Sequence, residues 1–573
     1  MHRTIVWFRR DLRITDHAPL ERAARRGAVI PVFIFDRALL HHPETGSGRV
    51  AFMLACLSSL DRDLRERGGR LILRQGDPVE VLPQLIRETQ ADGIYAYIDY
   101  ERIYGRVRDA RLNRALADQQ MKIRWFEPIA ATPELMPYPQ YRDFWYAEMR
   151  DRLIPAPGRI EVPPVQSEPL PTLADLGLIA DGKPIPPGGT TAARQLLQEF
   201  LHEKVDRYYW QLSYPGAEAT TGLSPHIKFG AISIRECVQT AQAMEYTDIR
   251  AERSRRQLIA RLRWGSGFAQ RFRYLPQLEL RSLYTVFDDE DWQFDDALYQ
   301  AWQQGQTGFP IVDAAARCLQ ATGGWKQLNF RVRAIYASTL SNLLGMDWRY
   351  GALHFMRQLI DGDCPIDHYQ WAMQAGVTHC VDKTWTRIYN PGQVAVDRCD
   401  PEGQFIKRWV PEVAHLPPDQ LGLPPRLDNY PAPILDYKTA RQQRVNQLQR
   451  QRQNLLHQDN LIPLLARLPD SLLPFGRDRV LSDTNWALLP SSDLFPLPLD
   501  LDALDLEQAK ALRTWFVAHV TMTPRSTSRS TPRSTPSRQR RSPQSSKQSS
   551  KQSSGKAIAS PADEGVIQLN LLN

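Results

Sequence analysis

The sequence predicts an α/β N-terminal domain built on a doubly wound parallel sheet, followed by an all-α C-terminal domain, and three observations carry that reading. Residues 1 to about 130 alternate short β-branched or aromatic runs with amphipathic stretches, as strands joined by crossover helices do. A Pro- and Gly-rich stretch follows, and from about residue 191 the apolar period becomes helical almost everywhere.

Taken in order, the strand-like runs are residues 4–8, 28–35, 70–73, 93–98 and 123–126, with amphipathic stretches at 49–67 and 78–89 between them. The first run continues into Phe8-Arg9-Arg10-Asp11-Leu12-Arg13 rather than G-x-G-x-x-G, so a conventional dinucleotide fingerprint is absent. Arg9, Arg10 and Arg13 either form a solvated loop face paired with Asp11 or Asp16, or contact a ligand. Nine prolines between Pro155 and Pro187 read as a linker wrapped over the surface. Helical patterns then occupy residues 192–201, 233–244, 253–272, 296–303, 311–321 and 329–344. Residues 376–425 are irregular, and 439–457 form a Gln/Arg-rich, solvated helix. The segment 520–560 is Ser/Arg/Pro/Gln/Lys-rich and too polar to offset its chain entropy, so disorder is expected there. The expected divisions are 1–130, a linker 131–190, a helical domain 191–480, an extension 481–519 and a disordered basic tail 520–573.

At 573 residues, with 42% hydrophobic and 9% aromatic side chains, the chain has ample apolar surface for two large domains. No apolar run approaches the roughly 18 residues of a membrane span, and the start lacks a secretory pattern, so a cytoplasmic protein is expected. The six cysteines (56, 237, 318, 364, 380, 399) form no C-x-x-C pair, which favours buried free thiols over a disulfide framework or a metal site. The formal charge is +8, yet nine basic residues and no acid lie between Arg525 and Lys556, leaving −1 elsewhere. A DNA-facing surface on the folded body must therefore be local.

Chemistry-bearing residues concentrate between Trp302 and Trp371, a stretch containing Gly305-Gln306-Thr307-Gly308-Phe309-Pro310-Ile311-Val312-Asp313 and ending beyond Asp361-Gly362-Asp363. Thr220-Thr221-Gly222-Leu223-Ser224-Pro225 suits either a phosphate or an ordinary turn capping a helix. Arg331 and Arg333 precede an apolar helix, and Asp361 and Asp363 lie past its end. An Arg/Asp pair inside a bundle marks a ligand or a fixed register, whereas on the surface it is an ordinary ion pair.

Several of these features recur together in one order. Val6 to Arg13, Gly222 to Pro225 with Gly230 and Ser233, Gly305 to Ala315, Met346 to Arg349, Asp361 to Asp363, Arg387 to Pro391, Asp400 to Gly403 and Arg408 to Glu412 are similar to the DNA photolyase/cryptochrome flavoprotein family. The resemblance implies an antenna domain and a helical FAD-binding domain, with a second antenna chromophore of folate or deazaflavin type. It places Tyr208, Thr220, Thr221, Gly222, Leu223 and Ser224 at the cofactor's ribityl and pyrophosphate part. Arg333, Asp361 and Asp363 then lie beside the isoalloxazine. Asp367 stands where photolyases commonly have Asn and plant-type cryptochromes Asp, facing flavin N5. Trp371, Trp348 and Trp292 match the family's electron-transfer chain.

The lesion pocket departs from the pattern. Arg261 stands where a Glu usually bonds the dimer, Phe330 replaces an Asn and Met373 an aromatic, while Trp264 is kept and Arg331 adds a charge. Arg261 and Arg263 are then placed to meet phosphate or base edges. The implied activity is light-driven repair of flipped-out pyrimidine dimers in UV-damaged DNA by an electron from excited reduced FAD. The rival is a cryptochrome-type blue-light receptor, favoured by Asp367, the altered pocket and the basic tail, which would bind DNA or a protein partner. A plain electron-transfer flavoprotein would leave the antenna-like domain unexplained. A monomer without membrane contact is expected, associated with the nucleoid if bacterial.

Overall fold

A computed structural model describes residues 2–456, apart from Tyr100, 133–137, 275, 280–281, 283–286, 288–291 and 378–386. Cys380, residues 457–480 of the expected helical domain, the whole expected extension and the whole basic tail lie outside the described residues. Five parallel strands, β1 (His2–Phe8), β2 (Gly27–Phe35), β3 (Ile72–Gln75), β4 (Gly93–Tyr97) and β5 (Ile123–Phe126), form one sheet in the order β3-β2-β1-β4-β5. Alternate residues of β1 feed opposite faces: Ile5 and Trp7 enter one core, Val6 and Phe8 another. Burial of both faces explains why these strands read as continuous apolar runs.

The free edge of β3 is covered by the segment read as a linker. Leu73 N–H donates to Ser167 Oγ at 2.9 Å, and Glu168 N–H donates to Leu73 O at 3.1 Å. That segment is not linker throughout, since Tyr138–Arg150 is a helix. Tyr141, Trp145 and Met149, spaced four apart, are buried, and Trp145 Nε1 donates to Ser266 Oγ at 3.0 Å. The proline count downstream of Pro155 obscured this periodicity.

The rest is helical, led by Ile249–Tyr274, Pro310–Thr322, Phe330–Ser338, Trp348–Gln358 and Cys364–Gln374. The Gly305–Asp313 motif is a structural clasp. Asp313 accepts from Thr307 N at 2.8 Å, Thr307 Oγ1 at 2.6 Å and Gly308 N at 3.1 Å, and from the Tyr430 hydroxyl. Gly308 sits at φ +76°, and a Cβ there would fall 2.4 Å from the Ala432 carbonyl, so the returning chain can pass directly over it. Among the described residues no helix is long and apolar enough to cross a membrane, and the five described cysteines are free and buried.

The helical body docks on the crevice between β1 and β4, where the crossover direction of the sheet reverses. Doubly wound sheets usually bind ligands at that point. Here Arg10, from the loop after β1, pairs with Asp99 and Glu101 from the loop after β4, each at 3.2 Å, and with Asp363 at 3.1 Å. Arg9 lies over the Trp7 and Trp125 rings and pairs with Asp109 at 2.9 Å. Arg13 donates to the Gly230 and Asp16 carbonyls. Arg10 and Arg13 therefore tie the two bodies together, while Arg9 is held within the N-terminal one.

Candidate functional site

Asn329 caps Phe330–Ser338 by accepting from Val332 N–H at 3.1 Å. One turn in, Arg333 donates through Nη2 to both oxygens of Asp361 at 3.2 Å and through Nε to the Leu328 carbonyl at 2.9 Å. The Arg333 side chain is 26% exposed and that of Asp361 7%, so this is a half-buried, multiply bonded pair rather than a surface one.

Two residues on, Asp363 caps Cys364–Gln374 through Ile366 N–H. Its other oxygen is shared by Arg10 and by Lys228, the latter at 3.3 Å. One carboxylate oxygen thus caps the site helix, and the other ties it through Arg10 to the N-terminal body.

Asp367 and Trp371 follow at one-turn spacing on Cys364–Gln374, and both are buried. Burial pushes the Asp367 carboxyl up to about 8, with Glu44 adding to the rise and His368, Arg333 and Arg49 opposing it. Its Oδ2 has no hydrogen-bond partner among the described residues, and neither has Nδ1 of the neighbouring His368, 3.7 Å away. On its far side His368 Nε2 meets Glu44 Oε1 at 3.0 Å, while Glu44 Oε2 is held by Arg102 at 2.6 Å. Glu44, Cys364 and His368 place ligand-type atoms within 4.8 Å of one another. Arg102 on the carboxylate and Arg49 on the Glu44 carbonyl bring two cations to that point. They suit a hydrogen-bonded network better than a divalent ion.

Arg261, Trp264, Phe330, Arg331 and Met373 come from the helices Ile249–Tyr274, Phe330–Ser338 and Cys364–Gln374. Arg261 lies over the Phe330 ring at 5.1 Å, and Arg331 bonds the Tyr389 hydroxyl at 3.2 Å. Trp264 tilts against Phe268 at 5.9 Å, and Phe268 against Tyr369 at 5.1 Å. Arg263 turns away to the hydroxyl and ring of Tyr146.

The Thr220–Ser224 segment is a turn. Thr221 Oγ1 accepts from Leu223 N–H at 3.2 Å, Thr220 donates to the Lys326 carbonyl at 3.4 Å, and Ser224 stays exposed. Gly222 (φ +71°) leaves room for Lys326, whose Cε a Cβ would meet at 2.7 Å. Tyr208 is buried, its ring edge-on to Phe200 at 5.0 Å.

Trp371 and Trp348 are buried and Trp292 is half-buried beneath Arg444. Among the described residues Trp371 shares ring contacts with Trp302 at 6.2 Å and Phe355 at 4.9 Å, whereas Trp348 meets His368 at 6.0 Å. No direct ring contact joins Trp371 to Trp348 or Trp348 to Trp292.

Sequence reasoning missed Glu44, Arg102 and His368. The four-residue spacing of Cys364 and His368 on one helix was available as a signal; nothing local marks Glu44. A flavin is a good fit to what surrounds these groups. Gln327 Oε1, Asn329 Nδ2, Asp367 Oδ2 and Trp371 Nε1 are buried without partners among the described residues, on the packed helices Phe330–Ser338 and Cys364–Gln374 and the turn between Thr322 and Phe330. An unmet buried polar group costs about 1–3 kcal/mol, so these four, on elements packed against one another, offer partners to a polar ligand.

Comparison with known proteins agrees. Residues 4–149 match the family model described as DNA photolyase, and residues 258–450 that described as FAD binding domain of DNA photolyase. A deoxyribodipyrimidine photo-lyase of Synechococcus sp. is 33% identical over 469 residues, covering 77% of this chain and 95% of that protein. A cryptochrome DASH of Gloeobacter violaceus is 32% identical, covering 75% of this chain and 93% of that one. Among solved structures, a bacterial class III photolyase from Agrobacterium tumefaciens superposes with a TM-score of 0.68 at 28% identity, covering 79% of this chain and 98% of that one. An archaeal photolyase from Sulfolobus tokodaii, solved with two FAD molecules, gives 0.68 at 29% identity, covering 79% and 100%. With an α/β domain, a helical FAD-binding domain and a buried polar cradle between facing helices, the chain belongs to the DNA photolyase/cryptochrome flavoprotein family.

Proposed function

We propose that this protein is a light-driven, FAD-dependent deoxyribodipyrimidine photolyase acting on pyrimidine dimers in UV-damaged DNA. The observation that carries the reading is Arg261 lying over the Phe330 ring at 5.1 Å, at the start of the helix whose next turn carries Arg333 and its partner Asp361. Stacking surface and cationic groups thereby adjoin the cradle. FAD, reduced and excited by blue or near-UV light, supplies the electron that splits the dimer and receives it back. Arg333 and Asp361 present fixed charge of both signs to it, and Asn329 and Gln327 offer it a donor and an acceptor. The flipped dinucleotide stacks on Trp264, while Arg261 and Arg331 meet its phosphate, which makes affinity fall with salt. Trp292, Trp348 and Trp371 return the cofactor to its working redox state.

The N-terminal domain holds a second chromophore of folate or deazaflavin type. The protein works as a cytoplasmic monomer, at the nucleoid in a bacterium, and its basic tail adds DNA or protein contacts. The rival reading, a cryptochrome-type receptor, is favoured by the buried Asp367 carboxyl. Repair assays on variants test the assignment. Trp264→Ala removes a stacking face worth about 1–3 kcal/mol, so lesion affinity and repair fall at least about fivefold, while Met373→Ala keeps both. Equal repair by the two variants would contradict the pocket.

A further inference from the structure

Asp367 and His368 are adjacent in sequence and present their unpartnered atoms to each other. A buried carboxyl oxygen and a buried imidazole nitrogen, 3.7 Å apart and otherwise without partners among the described residues, stand one small side-chain rotation short of a hydrogen bond. The opposite nitrogen of the same ring is fixed by Glu44 at 3.0 Å, and Glu44 is fixed by Arg102 at 2.6 Å. Arg102 is itself held by Glu279 at 3.1 Å. The ring has no freedom to leave: Trp348 packs edge-on to it at an interplanar angle of 90°.

We propose that His368, oriented and kept protonated by Glu44, is a positioning residue that replaces the proton of Asp367. The inference rests on the reading that Asp367 faces the flavin. Asp367 gives the proton of its carboxyl to an acceptor in the cradle and becomes a carboxylate. The Nδ1 proton of His368 then passes to Asp367 Oδ2 across the 3.7 Å gap, closed by rotation. The ring is left neutral, with its Nε2 proton still on Glu44. No oxidant or co-reactant enters this step. The imidazolium is later restored by proton uptake.

The surrounding charges fit that order of events. His368 is raised well above its ordinary value, with the Glu44 carboxylate at 3.0 Å opposing burial, while the Cys364 thiol, itself pushed up to about 12 by burial, stays uncharged beside it. On the N-terminal side His42 is pushed well below its ordinary value by burial and by Arg102, which makes it a neutral neighbour. Arg333 and Arg49 favour the carboxylate that Asp367 becomes, and Glu279, buried and raised by desolvation, sits behind Arg102. Glu44 comes from the N-terminal body and His368 from the flavin-binding body, so the device spans both.

The test uses the full flavin-loaded chain. In the dark, 15N NMR of the histidines, with the His368 signal assigned by its loss in His368→Gln, shows both ring nitrogens protonated at neutral pH. Glu44→Gln turns that ring neutral. After a light pulse, the infrared carbonyl band of Asp367, assigned by Asp367→Asn, disappears and returns. His368→Gln slows the return by roughly a hundredfold, the scale of a lost proton donor, and leaves the disappearance unchanged. Glu44→Gln slows it to a lesser extent, and His368→Lys partly restores the rate. A neutral His368 in the wild-type chain, or an unchanged return in His368→Gln, overturns the proposal. An Asp367 band indifferent to light overturns it too, but by removing the flavin-facing reading, which the dark NMR result does not depend on.

Discussion

Asp367 illustrates how a single side chain reports its surroundings. Folding moves its carboxyl from the ordinary carboxylate range up to about 8 through burial, so the folded state keeps a proton the unfolded chain has lost. The resulting stability is full in acid, declines as pH rises past the unfolded value and is gone once pH passes the folded one. Asp367→Asn cannot titrate, so its urea midpoint gains on that of the wild type between pH 5 and 8; a difference constant with pH would contradict the assignment. At the same scale, Arg333→Gln or Asp361→Asn leaves one partner of a half-buried pair unsatisfied. Charged hydrogen bonds of this kind are worth about 1.5–3 kcal/mol, so each variant melts lower and binds FAD at least tenfold more weakly, measurable by flavin fluorescence on dilution. The Arg333–Asp361 pairing was legible only by resemblance, because 28 residues separate the partners. Glu44 was not legible, since its contact with His368 joins positions far apart in the chain, whereas His368 was signalled only by its four-residue spacing from Cys364.

Among the elements, the strands were legible because a sheet buried on both faces demands unbroken apolar runs. The helices of the C-terminal half were legible through their 3.6-residue period, whose ends the structure moves by a few residues. Phe330–Ser338 is followed by a π-helical turn, Thr339–Leu343, which the periodic pattern had merged into one helix. The helix Tyr138–Arg150 was lost to its proline-rich sequel. The Gly305–Ala315 motif carried the strongest signal and yet serves as a clasp through Asp313 rather than as a ligand contact. Trp371 belongs to an aromatic column, since Trp302 stacks on Tyr336 at 4.1 Å and Tyr299 lies on Trp302 at 5.8 Å. If electrons travel through Trp348 and Trp292, Trp348→Phe slows flavin photoreduction at least tenfold and Trp302→Phe does not; transient absorption decides, and the reverse result would place the route in the Trp302 column. Trp302→Phe keeps an aromatic ring and limits the cavity to a loss of roughly 1–3 kcal/mol.

For the molecule as a whole, the two bodies share apolar clusters, in which Phe52 meets Phe229 at 5.9 Å, and are tied by charge at the β1/β4 crevice. Arg10, Lys228, Glu101 and Asp363 form one cluster there. Arg49 adds a second tie, donating to the Met356 carbonyl at 2.5 Å and the Leu359 carbonyl at 3.1 Å beyond Trp348–Gln358. A Cβ on Gly362 would lie 2.4 Å from Arg49 Nη1, so this approach requires glycine. Arg10→Ala takes a cation from three carboxylates, Asp99, Glu101 and Asp363, and hydrogen exchange should rise together in the loop after β4 and at the start of Cys364–Gln374. Exchange confined to the β1 loop would show that the cluster does not join the bodies. The central claim, that this scaffold repairs DNA, is tested most directly by illuminating purified, reduced protein with dimer-containing single- and double-stranded DNA and counting restored pyrimidines against a dark control. The account predicts light-dependent repair; no restoration in either DNA, with normal flavin photoreduction, would contradict it and leave the receptor reading.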